Sequence, residues 1–176
     1  MHVYLIGYRG SGKTSVGKLL AKHLERPWVD CDDLIEAAAG MTIRDIFAAE
    51  GEAGFRDREQ AVIAQLVSEA DCRPLVVSLG GGAILREANR NAICRSGRRV
   101  WLVASPQTLV ARMRADKATA ERRPALSALN DYEEVVALVE ARRPLYSAVA
   151  EKIVDTDTLS VEAISHDIAD WLKSAA

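Results

Sequence analysis

Short apolar stretches alternate along the chain with longer segments in which apolar residues recur every three or four positions. The short stretches, which predict strands, cover residues 2–7, 27–30, 75–79, 99–103 and 152–155. Alternation of strand and helix patterns is typical of a parallel sheet with helices on both faces. We therefore predict an α/β fold with a five-stranded parallel sheet, in a single domain over residues 1–176.

Helix boundaries are marked by capping residues. Apolar residues at helical spacing predict that a helix begins at about Lys13. Thr42, with Asp45 three residues later, is typical of a capping box, and Gly51 is expected to end that helix. Ser105–Pro106 combines an N-cap with proline at the first helical position.

The segment between Arg114 and Leu129 lacks an apolar stripe. It is charged and rich in alanine, and Arg123 and Pro124 lie near its centre. This pattern favours a mobile flap over a core element. A charged surface loop without a part in catalysis is the alternative.

Composition and charge restrict the possible function classes. The chain is 49% hydrophobic and 27% charged, as in ordinary globular proteins, and its net charge of −2 argues against nucleic acid as the main partner. No apolar run approaches the roughly 20 residues that span a bilayer, which predicts no membrane contact. The cysteines and histidines are scattered: Cys31, Cys72, Cys94, His2, His23 and His166. We expect reduced thiols in the cytoplasm, no zinc site, and histidines at the surface or rim without a role.

Residues 7–14 match the phosphate-binding pattern G-x-x-x-x-G-K-[ST] in full. The pattern lies between a predicted strand and a predicted helix, as its mechanism requires. Backbone amides of such a loop converge on phosphate oxygens, and the helix N-terminus adds partial positive charge. Lys13 would reach the β- and γ-phosphates, and the Thr14 hydroxyl would ligate Mg²⁺. The sequence therefore predicts that the chain binds a nucleoside triphosphate.

A carboxylate cluster follows the second predicted strand. Asp30, Asp32 and Asp33 come at its carboxyl end, where open α/β sheets place ligands. Carboxylates there could order waters around Mg²⁺ or accept a proton from a substrate hydroxyl. The alternative is that Asp32 or Asp33 only caps a helix beginning at Leu34. We favour the functional interpretation because a phosphate-binding loop precedes the cluster.

Glu59 falls on the same helix face as the apolar residues Phe55 and Val62. A carboxylate on an apolar face needs a partner, because an unpaired buried charge is costly. Arg56, three residues earlier, is within reach. The pair is either an ordinary helical salt bridge or a device by which Glu59 aims Arg56 at an anionic substrate.

Two further features suit an anionic ligand. Gly80–Gly82 end a predicted strand without side chains, so that a ligand can approach the backbone closely, although a plain turn is the alternative. Arg142 and Arg143 are followed by Pro144, which we expect to disrupt the helix and to place both arginines at a bend.

Together these motifs resemble the shikimate kinase family. The matching motifs, in order over about residues 3–155, are G-x-x-x-x-G-K-T, D-x-D, G-E-x-x-F-R-x-x-E, L-G-G-G, R-P in the flap and R-x-P-L-Y. The resemblance implies a three-layer P-loop NTPase fold with substrate-binding helices at about 32–62 and a mobile lid at about 112–127. It also implies Mg²⁺-dependent transfer of the ATP γ-phosphate to the 3-hydroxyl of shikimate, a step in aromatic amino-acid biosynthesis.

The resemblance assigns roles to individual residues. The nucleotide would contact Gly10, Ser11, Gly12, Lys13, Thr14, Ser15, Arg112 and Arg123, and shikimate would contact Asp32, Arg56, Gly80, Gly81, Gly82 and Arg142. Among these, Lys13, Asp32 and Arg123 would be catalytic, with Asp32 as the base. Thr14 would bind Mg²⁺ directly, and Asp30 and Asp32 would bind it through water. Glu59 would support Arg56.

Two other functions stay open at this point. One is a gluconate or nucleotide kinase of similar architecture, although such kinases lack these paired arginine motifs. The other is a nucleotide-binding regulatory module without turnover, which should have lost Lys13 or Asp32. The expected partners are ATP and shikimate, and a monomer is the default because no sequence feature marks an interface.

Overall fold

A parallel sheet of five strands forms the centre of the protein. The computed structural model describes residues 1–70, 72–116 and 131–174. The strands are β1 (His2–Ile6), β2 (Trp28–Asp30), β3 (Val76–Ser78), β4 (Gly97–Val103) and β5 (Lys152–Asp155). They lie side by side in the order β2-β3-β1-β4-β5, and every neighbouring pair is parallel. The predicted α/β fold and five-stranded parallel sheet are confirmed.

Strand β4 begins two residues earlier than the sequence predicted. Gly97 pairs with His2 and Arg98 pairs with Val3, so the strand includes a glycine and an arginine that the apolar pattern does not mark. Arg98 and Arg99 both form ion pairs with Glu151, at 3.0 and 3.1 Å. Glu151 therefore gives both arginines at the start of β4 a partner of opposite charge.

Helices separate the strands in chain order. Their bounds are α1 (Lys13–His23), α2 (Cys31–Ala39), α3 (Ile43–Ser68), α4 (Glu87–Ser96), α5 (Pro106–Ala115), α6 (Asp131–Val149) and α7 (Val161–Ser174), with a short 3₁₀ turn at Ala83–Leu85. Helix α1 begins at Lys13 as predicted. The predicted caps also form, since the side chains of Thr42 and Ser105 accept hydrogen bonds from backbone amides in the first turns of α3 and α5. None of the described helices has both the length and the apolar character needed to cross a membrane.

One helix prediction is confirmed and another needs correction. Gly51 has a non-helical conformation, with φ 69° and ψ −172°, so α3 consists of two helices joined at a kink and the first of them ends at Gly51 as predicted. Pro144 lies inside α6, which continues to Val149, so the predicted disruption is wrong. Val135, Val139, Tyr146 and Val149 are buried on both sides of the proline. Their packing holds the helix through Pro144, since tertiary contacts override local propensity.

The two faces of the sheet pack on different helices. Tyr4 and Ile6 of β1 point into one apolar cluster with residues of α2, α3, α4 and α6. Val3 and Leu5, which alternate with them, point into a second cluster with residues of α1 and α7. Alternate residues of one buried strand therefore face opposite layers, as a strand's twofold side-chain period requires. The carboxyl ends of the strands are held between these layers.

His2 is buried, contrary to the surface position predicted for it. Its side chain receives a hydrogen bond at Nδ1 from the Leu75 amide at 3.0 Å and lies 2.7 Å from the Leu66 carbonyl oxygen through Nε2. A carbonyl can only accept, so Nε2 carries the proton and the ring is neutral. Burial is the main reason why the pKa of His2 is lowered from 6.5. His23 and His166 are exposed, as predicted.

Candidate active site

An open cleft of about 580 Å³ lies at the carboxyl ends of β1, β2 and β3. Its walls come from the loop after β1, the start of α2, the loop after β3 and the end of α5. The lining residues include Arg9, Gly10, Gly12, Lys13, Thr14, Ser15, Trp28, Asp30, Asp32, Asp33, Gly80, Gly81, Arg112 and Met113. Most of the predicted nucleotide and acceptor residues in the described part of the chain therefore meet at one cleft.

The loop after β1 has the backbone conformation of a phosphate-binding loop. Gly7, Gly10 and Gly12 have φ values of 144°, 81° and 91°, in the region where glycine is favoured. The Lys13 ammonium donates hydrogen bonds of 2.9 Å to the carbonyl oxygens of Gly7 and Tyr8. These bonds hold the lysine over its own loop, at the N-terminus of α1. Ser11 differs from its neighbours because it is buried and its backbone amide bonds to Tyr8.

Asp30 connects the phosphate-binding loop to the second strand. Its Oδ2 accepts a hydrogen bond of 3.2 Å from the Thr14 hydroxyl, and its Oδ1 accepts one of 3.0 Å from the Asp32 amide. Asp30 is thus the N-cap of α2, which begins at Cys31. The alternative prediction of a helix beginning at Leu34, capped by Asp32 or Asp33, is wrong. The cap leaves the side chain of Asp32 in the first turn of α2, on the wall of the cleft.

Negative charge is concentrated beside Thr14. Burial, followed by the neighbouring charge of Asp32, raises the pKa of Asp30 above its ordinary value. Both effects disfavour the ionised form of the Asp30 carboxyl group. A nearby cation would favour the ionised form. Carboxylate and hydroxyl oxygens are the ligands that Mg²⁺ prefers. The donor set of Thr14, Asp30 and Asp32 therefore fits Mg²⁺. Asp33 is exposed and also lines the cleft.

Arg56 is held by carboxylates on its own helix. Its guanidinium lies 2.7 Å from Glu59, which is fully buried, and 3.2 Å from Glu52. The predicted pairing of Glu59 with Arg56 is confirmed. A Cβ atom at Gly82 would lie 2.6 Å from the Arg56 Cζ. Only glycine at position 82 therefore admits the guanidinium to the loop after β3.

Arg142, on α6, contacts the same loop. Its guanidinium donates a 3.3 Å hydrogen bond to the Gly81 carbonyl, and the Tyr146 hydroxyl donates a 2.6 Å bond to that same oxygen. Burial raises the pKa of Tyr146 above its ordinary value, so its hydroxyl remains a donor. Arg142 also lies over the ring of Tyr8, 5.5 Å from its centroid. Both predicted arginines thus border the glycine loop, where an anion could bind between them.

Arg112 joins three parts of the nucleotide side. Its guanidinium donates to the Thr156 hydroxyl at 2.9 Å, to the Thr156 carbonyl at 2.6 Å and to the Gly10 carbonyl at 3.4 Å. These bonds connect α5 to the end of β5 and to the phosphate-binding loop. Arg123 and residues 117–127 of the predicted lid lie outside the described residues.

Sequence reasoning missed two residues that shape this site. The sequence pattern places Trp28 in a strand without a further role, but its side chain lines the cleft and its indole donates a hydrogen bond to Ser78. The sequence gives Tyr146 no role of its own, but its hydroxyl donates a hydrogen bond to the Gly81 carbonyl. Their polar groups were the available signal, because a buried indole or phenol usually has a hydrogen-bond partner.

Comparison with known proteins places these features in a family. A family model described as shikimate kinase matches residues 9–173. A shikimate kinase of Rhodopirellula baltica is 49% identical, with 99% of this chain and 90% of that protein covered. One from Symbiobacterium thermophilum is 45% identical, with 98% and 97% covered. The solved structure of a shikimate kinase from Acinetobacter baumannii in complex with shikimate is 35% identical and superposes with a TM-score of 0.90, covering 99% of this chain and 93% of that one.

Proposed function

This chain belongs to the shikimate kinase family, and on that premise we propose that it transfers the γ-phosphoryl group of ATP to the 3-hydroxyl of shikimate. The products are shikimate 3-phosphate and ADP, on the route to aromatic amino acids. One observation carries the assignment of the acceptor. Arg56 and Arg142 border the same glycine loop, Gly80–Gly82, next to a phosphate-binding loop. Two guanidinium groups there suit the carboxylate of a small acid.

The phosphate side acts by positioning and charge neutralisation. Lys13 exchanges its bonds to the Gly7 and Tyr8 carbonyls for contacts with the β- and γ-phosphates. The amides of the loop and the N-terminus of α1 add partial positive charge. Arg112 contacts the nucleotide next to Gly10. Arg123 would stabilise the charge that develops on the transferring group, and this role remains a prediction.

The acceptor side orients one hydroxyl. Arg56, fixed by Glu52 and Glu59, and Arg142 grip the carboxylate. Asp32, on the cleft wall at the start of α2, holds the shikimate hydroxyls and accepts the proton of the reacting one. The carboxylate clamp and Asp32 together place that oxygen in line with the γ-phosphorus.

Thr14, Asp30 and Asp32 would hold Mg²⁺, Thr14 directly and the carboxylates through water. The cation supplies neutralisation of the phosphate charge. The hydrogen bond between Thr14 and Asp30 supports this role, because it brings the two oxygens to one place. We further propose that residues 1–176 act as one kinase domain with a monomer as the working unit.

ADP release measured with ATP and Mg²⁺, with and without shikimate, tests this function. We expect release to depend on shikimate and to be absent with gluconate or nucleoside monophosphates. Release with gluconate or a nucleotide as acceptor would favour a related small-molecule kinase. ATP binding without release under any condition would favour a regulatory module.

A further inference from the structure

A chain of hydrogen bonds connects β2, β3 and α1 directly behind the cleft. The indole Nε1 of Trp28 donates to the Ser78 hydroxyl at 3.0 Å, and that hydroxyl donates to the backbone carbonyl of Lys13 at 3.0 Å. Ser78 is buried, with 1% of its surface exposed, and Trp28 is half-buried. The chain therefore begins at a residue of the cleft wall and ends in the first turn of the helix that carries Lys13.

The chemistry of the three groups fixes the direction of this chain. An indole N–H can only donate, and a backbone carbonyl can only accept. Because Ser78 must accept from Trp28, its single proton is directed to the Lys13 carbonyl. A hydroxyl can accept one hydrogen bond and donate another, so the single side chain of Ser78 serves both partners.

Gly17 leaves room for the chain. A Cβ atom at Gly17 would lie 2.6 Å from Trp28 Nε1 and 2.9 Å from Ser78 Oγ. Any side chain there would push α1 away from the strands. Gly17 therefore allows α1 to pack closely against Trp28 and Ser78 of the sheet.

The contact lies between the two halves of the reaction site. Ser78 is opposite Asp30 in the register of β2 and β3, and two residues later the chain enters the loop Gly80–Gly82. Lys13 holds the phosphate side. A shift of α1 against β3 would therefore change the distance between the phosphates and the acceptor, while each separate binding surface stays intact.

We propose that Ser78, oriented by Trp28, is a positioning residue for phosphoryl transfer. It fixes the first turn of α1 against β2 and β3, and so sets the relative position of the ATP γ-phosphate and the shikimate hydroxyl. It touches neither substrate, so its effect is on kcat rather than on either KM. The inference rests on the proposed kinase activity.

Ser78→Ala tests the proposal, with Ser96→Ala as the matched control. Ser96 is also buried, lies 2.7 Å from the Tyr4 hydroxyl and donates to the Ala92 carbonyl at 2.9 Å, at the other end of the sheet. Both variants remove a buried serine between an aromatic polar group and a backbone carbonyl. For Ser78→Ala we expect kcat to fall on the order of tenfold, the scale of a small misplacement, with both KM values within about twofold of wild type. Ser96→Ala should keep the wild-type kcat and lose only thermal stability.

A double-mutant cycle with Trp28→Phe separates positioning from packing. Phenylalanine keeps an aromatic ring but has no N–H, so Ser78 loses its orientation and kcat should fall less than in Ser78→Ala. In the Ser78→Ala background, Trp28→Phe should have almost no further effect on kcat, because the chain is already broken. If Ser78→Ala does not fold, a wild-type kcat in Trp28→Phe alone overturns the proposal.

Three results would contradict the inference: a wild-type kcat in Ser78→Ala, an equal loss of kcat in Ser96→Ala, or additive losses in the cycle. Each of these results can be distinguished from failure of the proposed kinase function. That failure would appear in the wild-type protein, as ADP release that does not depend on shikimate.

Discussion

A similar chain of hydrogen bonds, from an aromatic side chain through a serine to a backbone carbonyl, occurs at each end of the sheet. At the carboxyl end, Trp28 bonds to Ser78 and Ser78 to a backbone carbonyl, beside the open cleft. At the amino end, Tyr4 bonds to Ser96 and Ser96 to a backbone carbonyl, inside the protein. His2 there contacts backbone groups through both ring nitrogens.

The difference lies in what surrounds these bonds. Near the cleft, burial and the neighbouring charge of Asp32 raise the pKa of Asp30, so the folded state disfavours the ionised form of that carboxyl group. At the amino end, Arg98 and Arg99 share Glu151, so each arginine has a partner of opposite charge. Functional sites often keep like charges close together, because a bound ligand or cation supplies the opposite charge. Changes at the carboxyl end should therefore affect turnover, and changes at the amino end should affect stability.

Lys13→Ala should give the largest effect on activity. Loss of one preorganised charge at a reacting group costs on the order of 10²–10³ in rate. Thermal stability should change little, because the hydrogen bonds of Lys13 to the Gly7 and Tyr8 carbonyls lie within one loop. Steady-state ADP release and thermal unfolding measure the two quantities. Lys22→Ala, in the exposed last turn of the same helix, is the control and should be active. A Lys13→Ala protein with normal turnover would refute the phosphate-binding role.

Asp32→Asn should lower kcat on the order of 10²-fold, since an amide cannot accept the proton of the acceptor hydroxyl. Its size and most of its hydrogen bonds are kept, so the unfolding temperature should stay close to that of wild type. Asp33→Asn changes the next carboxylate along the same wall of the cleft. It is exposed and should have a mild effect. If the Asp33 variant is the more damaged of the two, the base has been assigned to the wrong residue.

Arg56→Lys and Arg142→Lys should each weaken shikimate binding by about 1–3 kcal/mol, because an ammonium retains the charge but not the planar fork. ATP affinity measured without shikimate should be unchanged. Calorimetry with each ligand separately can show this. Arg58→Lys is the matched control on the same helix, since Arg58 pairs with Glu50 at the surface. A parallel loss of both affinities would mean that the two arginines have a structural role only.

His2→Gln should leave turnover intact and change the pH dependence of stability, the smallest effect of the series. Because burial lowers the pKa of His2 below 6.5, the unfolded chain binds the proton more readily. The contribution of His2 is therefore complete above about pH 6.5 and is lost as the pH falls below it, by at most about 1.4 kcal/mol per pH unit.

The groups whose charges act on His2 are the N-terminus, Arg26 and Glu69, and they are the same in both proteins. Denaturant unfolding between pH 5 and 8 should show a flatter profile for His2→Gln than for wild type. The exposed His23→Gln should keep the wild-type slope. Identical slopes in wild type and His2→Gln would show that His2 does not titrate on unfolding.

The sequence predicted the carboxyl end of the sheet better than the amino end. The loop Gly7–Thr14 has a spacing with a known mechanism, and β5 lies at residues 152–155 as predicted. The start of β4 was missed because Gly97 and Arg98 resemble loop residues in the sequence, and Glu151, the partner of Arg98, is distant along the chain. His2 was missed for a similar reason, since its partners Leu66 and Leu75 are brought to it only by the fold.

For the candidate site, local sequence patterns predicted which residues lie there but not all of the contacts that they make. The sequence offered Asp32 or Asp33 as the alternative helix cap, and only the hydrogen bond from the Asp32 amide to the Asp30 side chain shows that Asp30 is the cap. The pairing of Arg56 with Glu59 could be predicted because helical spacing sets it. The contact of Trp28 with Ser78 could not, because it joins residues that meet only through strand pairing.

The unequal surroundings of Arg56 and Arg142, the two arginines proposed to bind the substrate, have a consequence for inhibitor chemistry. Arg56 already faces the carboxylates of Glu52 and Glu59, whereas Arg142 donates to the neutral carbonyl of Gly81. An anionic group on a competitive ligand therefore meets opposing negative charge on the Arg56 side and less of it on the Arg142 side. A synthetic scaffold gains most by directing its acid toward Arg142 and a neutral hydrogen-bond donor toward Glu52, which would set it apart from compounds that mimic only the shape of the natural acid.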